Sequence, residues 1–102
     1  MVDITHKINT LRSATAQATV RVSKQETIDA LQRNAVPKGN VFEMAKTAGL
    51  FAVKNTHTSI PDCHPLPVEY TAVDYRIEGL QVFIEITVKT VYKTGVEVEA
   101  MH

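Results

Sequence analysis

The chain has 102 residues, with 11 lysines and arginines against 11 aspartates and glutamates. That is enough for one domain with a modest core, and the zero net charge argues against general binding of nucleic acid. A single cysteine excludes an internal disulfide and suits a reducing cytoplasm; no apolar run is long enough to cross a membrane, and the start carries no signal-peptide pattern.

Residues 1–13 are polar and lack a clear period, so an extended or loosely ordered segment is expected, with Arg12 its one notable residue. By the ordinary exposure rule Arg12 is a solvated arginine. From Ala14 the alternation is strict: Ala14, Ala16, Ala18, Val20 and Val22 stand against Thr15, Gln17, Thr19 and Arg21. This is a half-buried strand with small residues inside, so something bulky is expected to pack close over it. Ser23 to Glu26 has the S-x-x-E form of a capping box, worth about 1 kcal/mol as a helix start. Ile28 and Leu31 then give a short apolar stripe, with Asn34 a stop and Pro37 a barrier to further helix.

The stretch from Pro37 to Leu66 organises the chain. Lys38 and Gly39 form a loop, and Asn40 with Glu43 has the N-x-x-E form of a second capping box. Val41, Met44, Ala45, Ala48 and Ala52 make one apolar helix face, while Lys46 and Asn55 lie away from it. Gly49 costs about 1 kcal/mol relative to alanine inside a helix, so its expected use is a close helix–sheet or helix–helix approach. Pro61 and Pro65 then bracket Asp62, Cys63 and His64 in a tight turn held rigidly extended.

Leu66 to Ile77 and Leu80 to Tyr92 read as two strands joined at Glu78-Gly79. That turn sets Ile77 opposite Leu80, Tyr75 opposite Val82 and Val73 opposite Ile84, with a bulge near Ala72 where the phase slips. After Lys93-Thr94-Gly95, residues 96–101 begin a new element that is cut short. The order strand, helix, helix, strand, strand predicts an α+β sandwich, an antiparallel sheet with helices on one face. The ferredoxin-like type is the natural candidate, lacking one helix and one strand.

Several side chains are capable of chemistry. Cys63 and His64 form a nucleophilic dyad, a buried thiol beside a satisfied histidine, a metal site with His57, or a turn whose histidine binds a polar ligand. Adjacent residues in an extended segment point apart, which disfavours the dyad, and no zinc-type spacing supports the metal. Lys38 precedes a helix N-terminus, where free amides attract anions. Lys54 stands near the far end of that helix, about 24 Å away along an ideal rod. Either both are solvated, or, if both hold one ligand, a second subunit supplies one of them. Glu97 and Glu99 share one face of a strand but lie about 200° apart on a helix, so acid–base use and surface charge both stay open.

Three strings, K-G-N-V-F-E-M-A-K-T-A-G, I-P-D-C-H-P-L and K-T-G-V-E-V-E-A, together with the opening M-V-D-I-T and Arg12, resemble the MoaC family over essentially the whole chain. The resemblance implies a cyclic pyranopterin monophosphate synthase of molybdenum cofactor biosynthesis. It implies a ferredoxin-like subunit in a hexamer, a trimer of dimers, with sites at the dimer interface. The implied reaction turns (8S)-3′,8-cyclo-7,8-dihydroguanosine 5′-triphosphate into cyclic pyranopterin monophosphate and diphosphate, with no cofactor and no metal. Lys38 matches the catalytic lysine. Asp62, Cys63, His64, Val98 and Glu99 match substrate-contacting positions, and Arg12, Lys54, Lys93 and Glu97 match the remaining charged residues of the pocket. The family pattern runs on past Ala100 with a long helix bearing a catalytic aspartate and, three residues later, a lysine, then a final strand. This sequence ends at His102, before them, so a single C-terminally incomplete domain, inactive by itself, is expected. The other class consistent with these residues is a non-catalytic ferredoxin-like module that binds a nucleotide or pterin, or simply assembles.

Overall fold

Strand β1 spans Thr10–Arg21, longer than the alternation alone suggested, because its first residues pair with the end of the last strand (Thr10 with Tyr92, Arg12 with Thr90). A computed structural model describes residues 1–33 and 39–102. Within it, α1 (Gln25–Gln32), α2 (Val41–Lys54) and the short α3 (Thr56–Ser59) lead into the hairpin of β2 (Tyr70–Glu78) and β3 (Gln81–Tyr92), and α4 (Glu97–Met101) follows. The sheet order is β1-β3-β2, with both pairs antiparallel. The expected stop at Asn34, the barrier at Pro37 and the loop lysine Lys38 lie outside the described residues.

One face of the sheet carries the core. Ala14 and Ala16 of β1 face the same side as Ile86 and Val88 of β3, and the small residues leave room for helices. Val53 of α2, Val88, Val96 and Ala100 of α4 form the buried cluster, with Leu66 and Val68 packed beside them. The opposite face is polar: Thr15 meets Thr87 at 3.3 Å, Gln17 donates to Glu85 at 3.0 Å, and Arg76 lies 4.7 Å over the Phe83 ring. The architecture is α+β and matches a fragment of the ferredoxin-like sandwich.

Several local expectations change. Glu78 pairs with Gln81, so the hairpin turns at Gly79-Leu80, with Gly79 at φ +57°. Ile77 therefore faces Val82, Tyr75 faces Ile84 and Val73 faces Ile86. Every partner has moved by two positions, and since side chains alternate with period two the apolar face is unchanged. The ladder runs unbroken from Tyr70 to Glu78, with no bulge at Ala72, which simply stands on the polar face opposite Thr87. Residues 66–68 stay out of the ladder because Pro65 and Pro67 have no N–H to give; the pairing starts where Glu69 N–H donates to the Lys89 carbonyl at 3.0 Å.

The first capping box does not form. Lys24 caps α1 with no side-chain bond, and Ile28 is the residue of that helix that is buried. The second one half forms, with Asn40 Oδ1 accepting from Glu43 N–H at 3.1 Å. Helix α2 is also rotated from its expected face. Val53 is buried and Phe42, Ala45, Gly49 and Ala52 are half-buried, while Val41, Met44 and Ala48 are exposed. The helix is apolar on two sides, and the sheet chose the side with the Phe42–Tyr75 ring contact, at 4.8 Å, and Gly49. A β-carbon on Gly49 would lie 3.4 Å from Val73 Cγ2, at ordinary van der Waals contact, so α2 passes close to β2 there but leaves room for a methyl group.

Candidate functional site

Helix α2 does not run straight into the turn at Asp62. Thr56, fully buried, returns its hydroxyl to the carbonyls of Ala52 (2.9 Å) and Val53 (3.2 Å), and α3 carries the chain round. Cys63 N–H then donates to the Ile60 carbonyl at 3.0 Å. This is a β-turn with Pro61 and Asp62 at its centre, not the extended segment expected. Proline's fixed φ suits the second turn position.

The turn faces the start of α4. Val96 is buried under the helix, and α4 being helical separates the two glutamates that a strand would have aligned. Glu99 points inward at 5% exposure, and Glu97 stays exposed. Glu99 Oε2 is buried with no hydrogen-bond partner. Glu97 folds its carboxylate over Gly95, filling the space where a β-carbon would stand.

Between these two elements lies a cleft of about 340 Å³. Asp62, Cys63 and His64 line one side, and Glu97, Val98 and Glu99 the other, with Thr94 and Gly95 between them. Val2, Ile4 and Lys7 of the N-terminal segment line it as well. His64 Nε2–H donates to the Val2 carbonyl at 2.7 Å, which leaves Nδ1 as the ring's remaining polar atom. Asp62 sits 3.3 Å from the Met1 ammonium. Burial first, then the Glu99 and Asp62 carboxylates, push the Cys63 thiol above its ordinary range. All of these disfavour a thiolate, and so a nucleophilic Cys63.

The remaining expected site residues are elsewhere. Lys54 is exposed on the last turn of α2, and Lys93 is half-buried just before the cleft wall. Arg12 is half-buried on β1 opposite Thr90, its Nε enclosed without a partner, so it is not the solvated arginine of the exposure rule. Lys38 is outside the described residues. His57 is exposed on α3, and among the described residues no cluster of histidine, cysteine or carboxylate could hold a metal. No described helix is long and apolar enough to cross a membrane. Sequence reasoning missed Val2, Ile4 and Lys7. The one local signal was Asp3-x-Thr5, whose Asp3 carboxylate accepts from Thr5 N–H at 2.9 Å and is held below the usual range by it.

Comparison with known proteins bears on this arrangement. The sequence model of the MoaC family matches residues 1–102. The chain is 42% identical over 102 residues to the cyclic pyranopterin monophosphate synthase of Aquifex aeolicus (strain VF5), covering 98% of this chain and 39% of that protein. It is 41% identical over 101 residues to the probable cyclic pyranopterin monophosphate synthase of Sulfolobus acidocaldarius, covering 99% and 70%. It is 45% identical over 105 residues to the cyclic pyranopterin monophosphate synthase of Nostoc sp. (strain PCC 7120), covering 99% and 61%. The chain thus spans between 39% and 70% of these relatives' lengths. With the family model matched from the first residue to the last, and the I-P-D-C-H-P-L and K-T-G-V-E-V-E-A strings folded onto the two walls of one cleft, the chain belongs to the MoaC family.

Proposed function

We propose that the full-length protein is a cyclic pyranopterin monophosphate synthase, a lyase of molybdenum cofactor biosynthesis. It converts (8S)-3′,8-cyclo-7,8-dihydroguanosine 5′-triphosphate to cyclic pyranopterin monophosphate and releases diphosphate. The observation that carries the reading is Glu99, a buried carboxylate on the cleft wall whose Oε2 has no partner. Leaving such an oxygen unsatisfied costs about 1–3 kcal/mol or more, so the cleft is built for a ligand that supplies N–H donors. The amino-pyrimidinone edge of a guanine-derived ring has such donors.

On this reading Asp62, Cys63, His64, Val98 and Glu99 hold the ring, and Lys38 is the catalytic residue. Arg12, Lys54, Lys93 and Glu97 complete the charge of the pocket. The cations Arg12, Lys54 and Lys93 do not line the cleft of their own chain, which supports a site shared between subunits. A trimer of dimers with sites at the dimer interface meets that need, in one cytoplasmic domain type that requires no cofactor and binds neither nucleic acid nor membrane.

The test is product formation by the full-length protein, followed by mass spectrometry. Glu99→Gln turns one acceptor oxygen into a donor beside donors. It is expected to weaken substrate binding by roughly tenfold or more with the fold intact by circular dichroism. Near-normal KM in that variant would remove Glu99 from the ring-binding role, and absence of product with the unaltered protein would end the enzyme reading.

A further inference from the structure

The cleft is lined by three carboxylates, Asp62, Glu97 and Glu99, and Lys7 is the one lysine or arginine on its wall among the described residues. Its position is built by the segment that carries it. Lys7 N–H donates to the Ile4 carbonyl at 3.1 Å, and Ile4 is an 8%-exposed anchor in an otherwise polar stretch. Upstream, the His64 ring holds the Val2 carbonyl. The backbone is therefore pinned on both sides of Ile4 while the Lys7 side chain is exposed. Lys7 also makes no ion pair with the acids around it: the ion pairs among the described residues join Met1 to Asp62 and Arg76 to Glu78.

We propose that Lys7 is a substrate-binding residue that holds the phosphate end of the ligand at the mouth of the cleft, while Glu99 receives the ring's donors at its floor. This rests on the functional reading above and adds a residue to it. Charge sets the polarity. A phosphate placed beside the buried, unpaired Glu99 oxygen would meet repulsion in a poorly solvated place, whereas the open end offers an ammonium not engaged by any carboxylate. Size agrees. At about 340 Å³ the cleft is near the low end of ligand pockets, about 300–1,000 Å³, so a nucleoside triphosphate seated ring-first leaves its phosphates outside, where the Lys7 side chain is.

The experiment compares Lys7→Ala, Lys7→Arg and, as a control for generic charge, Lys46→Ala on exposed α2, all in the full-length protein. Lys7→Ala is expected to raise KM about tenfold with kcat within about twofold, and to weaken inhibition by diphosphate by a similar factor. Lys7→Arg should restore most of the loss, and Lys46→Ala should change neither value. KM and diphosphate inhibition within about twofold of wild type in Lys7→Ala would overturn the proposal, as would a loss confined to kcat. Diphosphate titration by calorimetry separates the two readings, because it needs no turnover. If the unaltered protein makes no product but binds diphosphate about tenfold more tightly than Lys7→Ala, the phosphate role stands without the enzyme reading. Equal binding, or none by the unaltered protein, sinks it.

Discussion

At the scale of single residues, the reactivity of Cys63 is set by its neighbours. A thiol half-buried beside Glu99 and Asp62 is held in the protonated form, its pKa raised by burial and by both acids. Thiolate is the reactive species, so alkylation of Cys63 by iodoacetamide should be slower than that of a free thiol at neutral pH and should catch up only above the ordinary thiol range. Glu99→Gln removes one of the two charges and should speed it. Labelling at pH 7 as fast as that of a small-molecule thiol would show that the carboxylates do not act on the sulfur. In the same vein, Cys63→Ser in the full-length protein should keep measurable activity, and intact mass should show no covalent substrate adduct.

At the scale of elements, α2 shows how far a pattern can be read. Its apolar residues fall on two sides, so period alone names a helix but not the side that meets the sheet. That choice was made by Phe42 against Tyr75 and by the absent side chain of Gly49 against Val73, contacts between segments more than twenty residues apart. The consequence is a change of sign between two substitutions. Gly49→Ala places its methyl at ordinary contact and gains helix propensity, so it should be neutral or stabilising by up to about 1 kcal/mol. Gly49→Leu must push α2 off β2 and should cost about 1–3 kcal/mol. Chemical denaturation of the two variants checks both; equal effects would mean that the helix does not sit at glycine depth. The hairpin, by contrast, was legible, because an error of two positions in its register leaves the same residues inside. Asp62 to His64 and Glu97 to Glu99, singled out through the family resemblance, are two contiguous strings that line one cleft, a juxtaposition that neither string shows by itself. Lys7 was not legible, because what places it is a backbone turn and a carbonyl held by a histidine 62 positions away.

At the scale of the whole molecule, the chain is more extended than its length requires. Its radius of gyration is 16.3 Å and its extents 54 × 23 × 20 Å, against about 13 Å for a compact domain of some 100 residues. Leu11, Phe51 and Val20 are 72%, 62% and 48% exposed. An apolar hollow of about 130 Å³ lies between Ala100 and Met101 of α4 and Ala16, Ala18, Ile84 and Ile86 of the sheet. Each large apolar side chain left in water forfeits about 1.5–3 kcal/mol, which is heavy against a total stability of about 5–15 kcal/mol. A polypeptide of residues 1–102 should therefore self-associate in sedimentation velocity. A monodisperse, cooperatively melting monomer would show that the helices already cover the sheet sufficiently.

The strand order also sets a timetable. β3 is central, so β1 has no partner until β3 has been made: Gln17 and Glu85, which share a hydrogen bond, are 68 residues apart. During synthesis at about 5–20 residues per second, β1 waits roughly 3–14 s with both edges open. Long, flat, strongly apolar strands aggregate under such conditions. Alanine and threonine make up half of β1, and its other residues include only two large apolar ones, Leu11 and Val20, so it has the alternation needed to pair and little grease to stick with meanwhile. The small side chains that leave room for the helices are thus also what makes the first strand safe to leave alone.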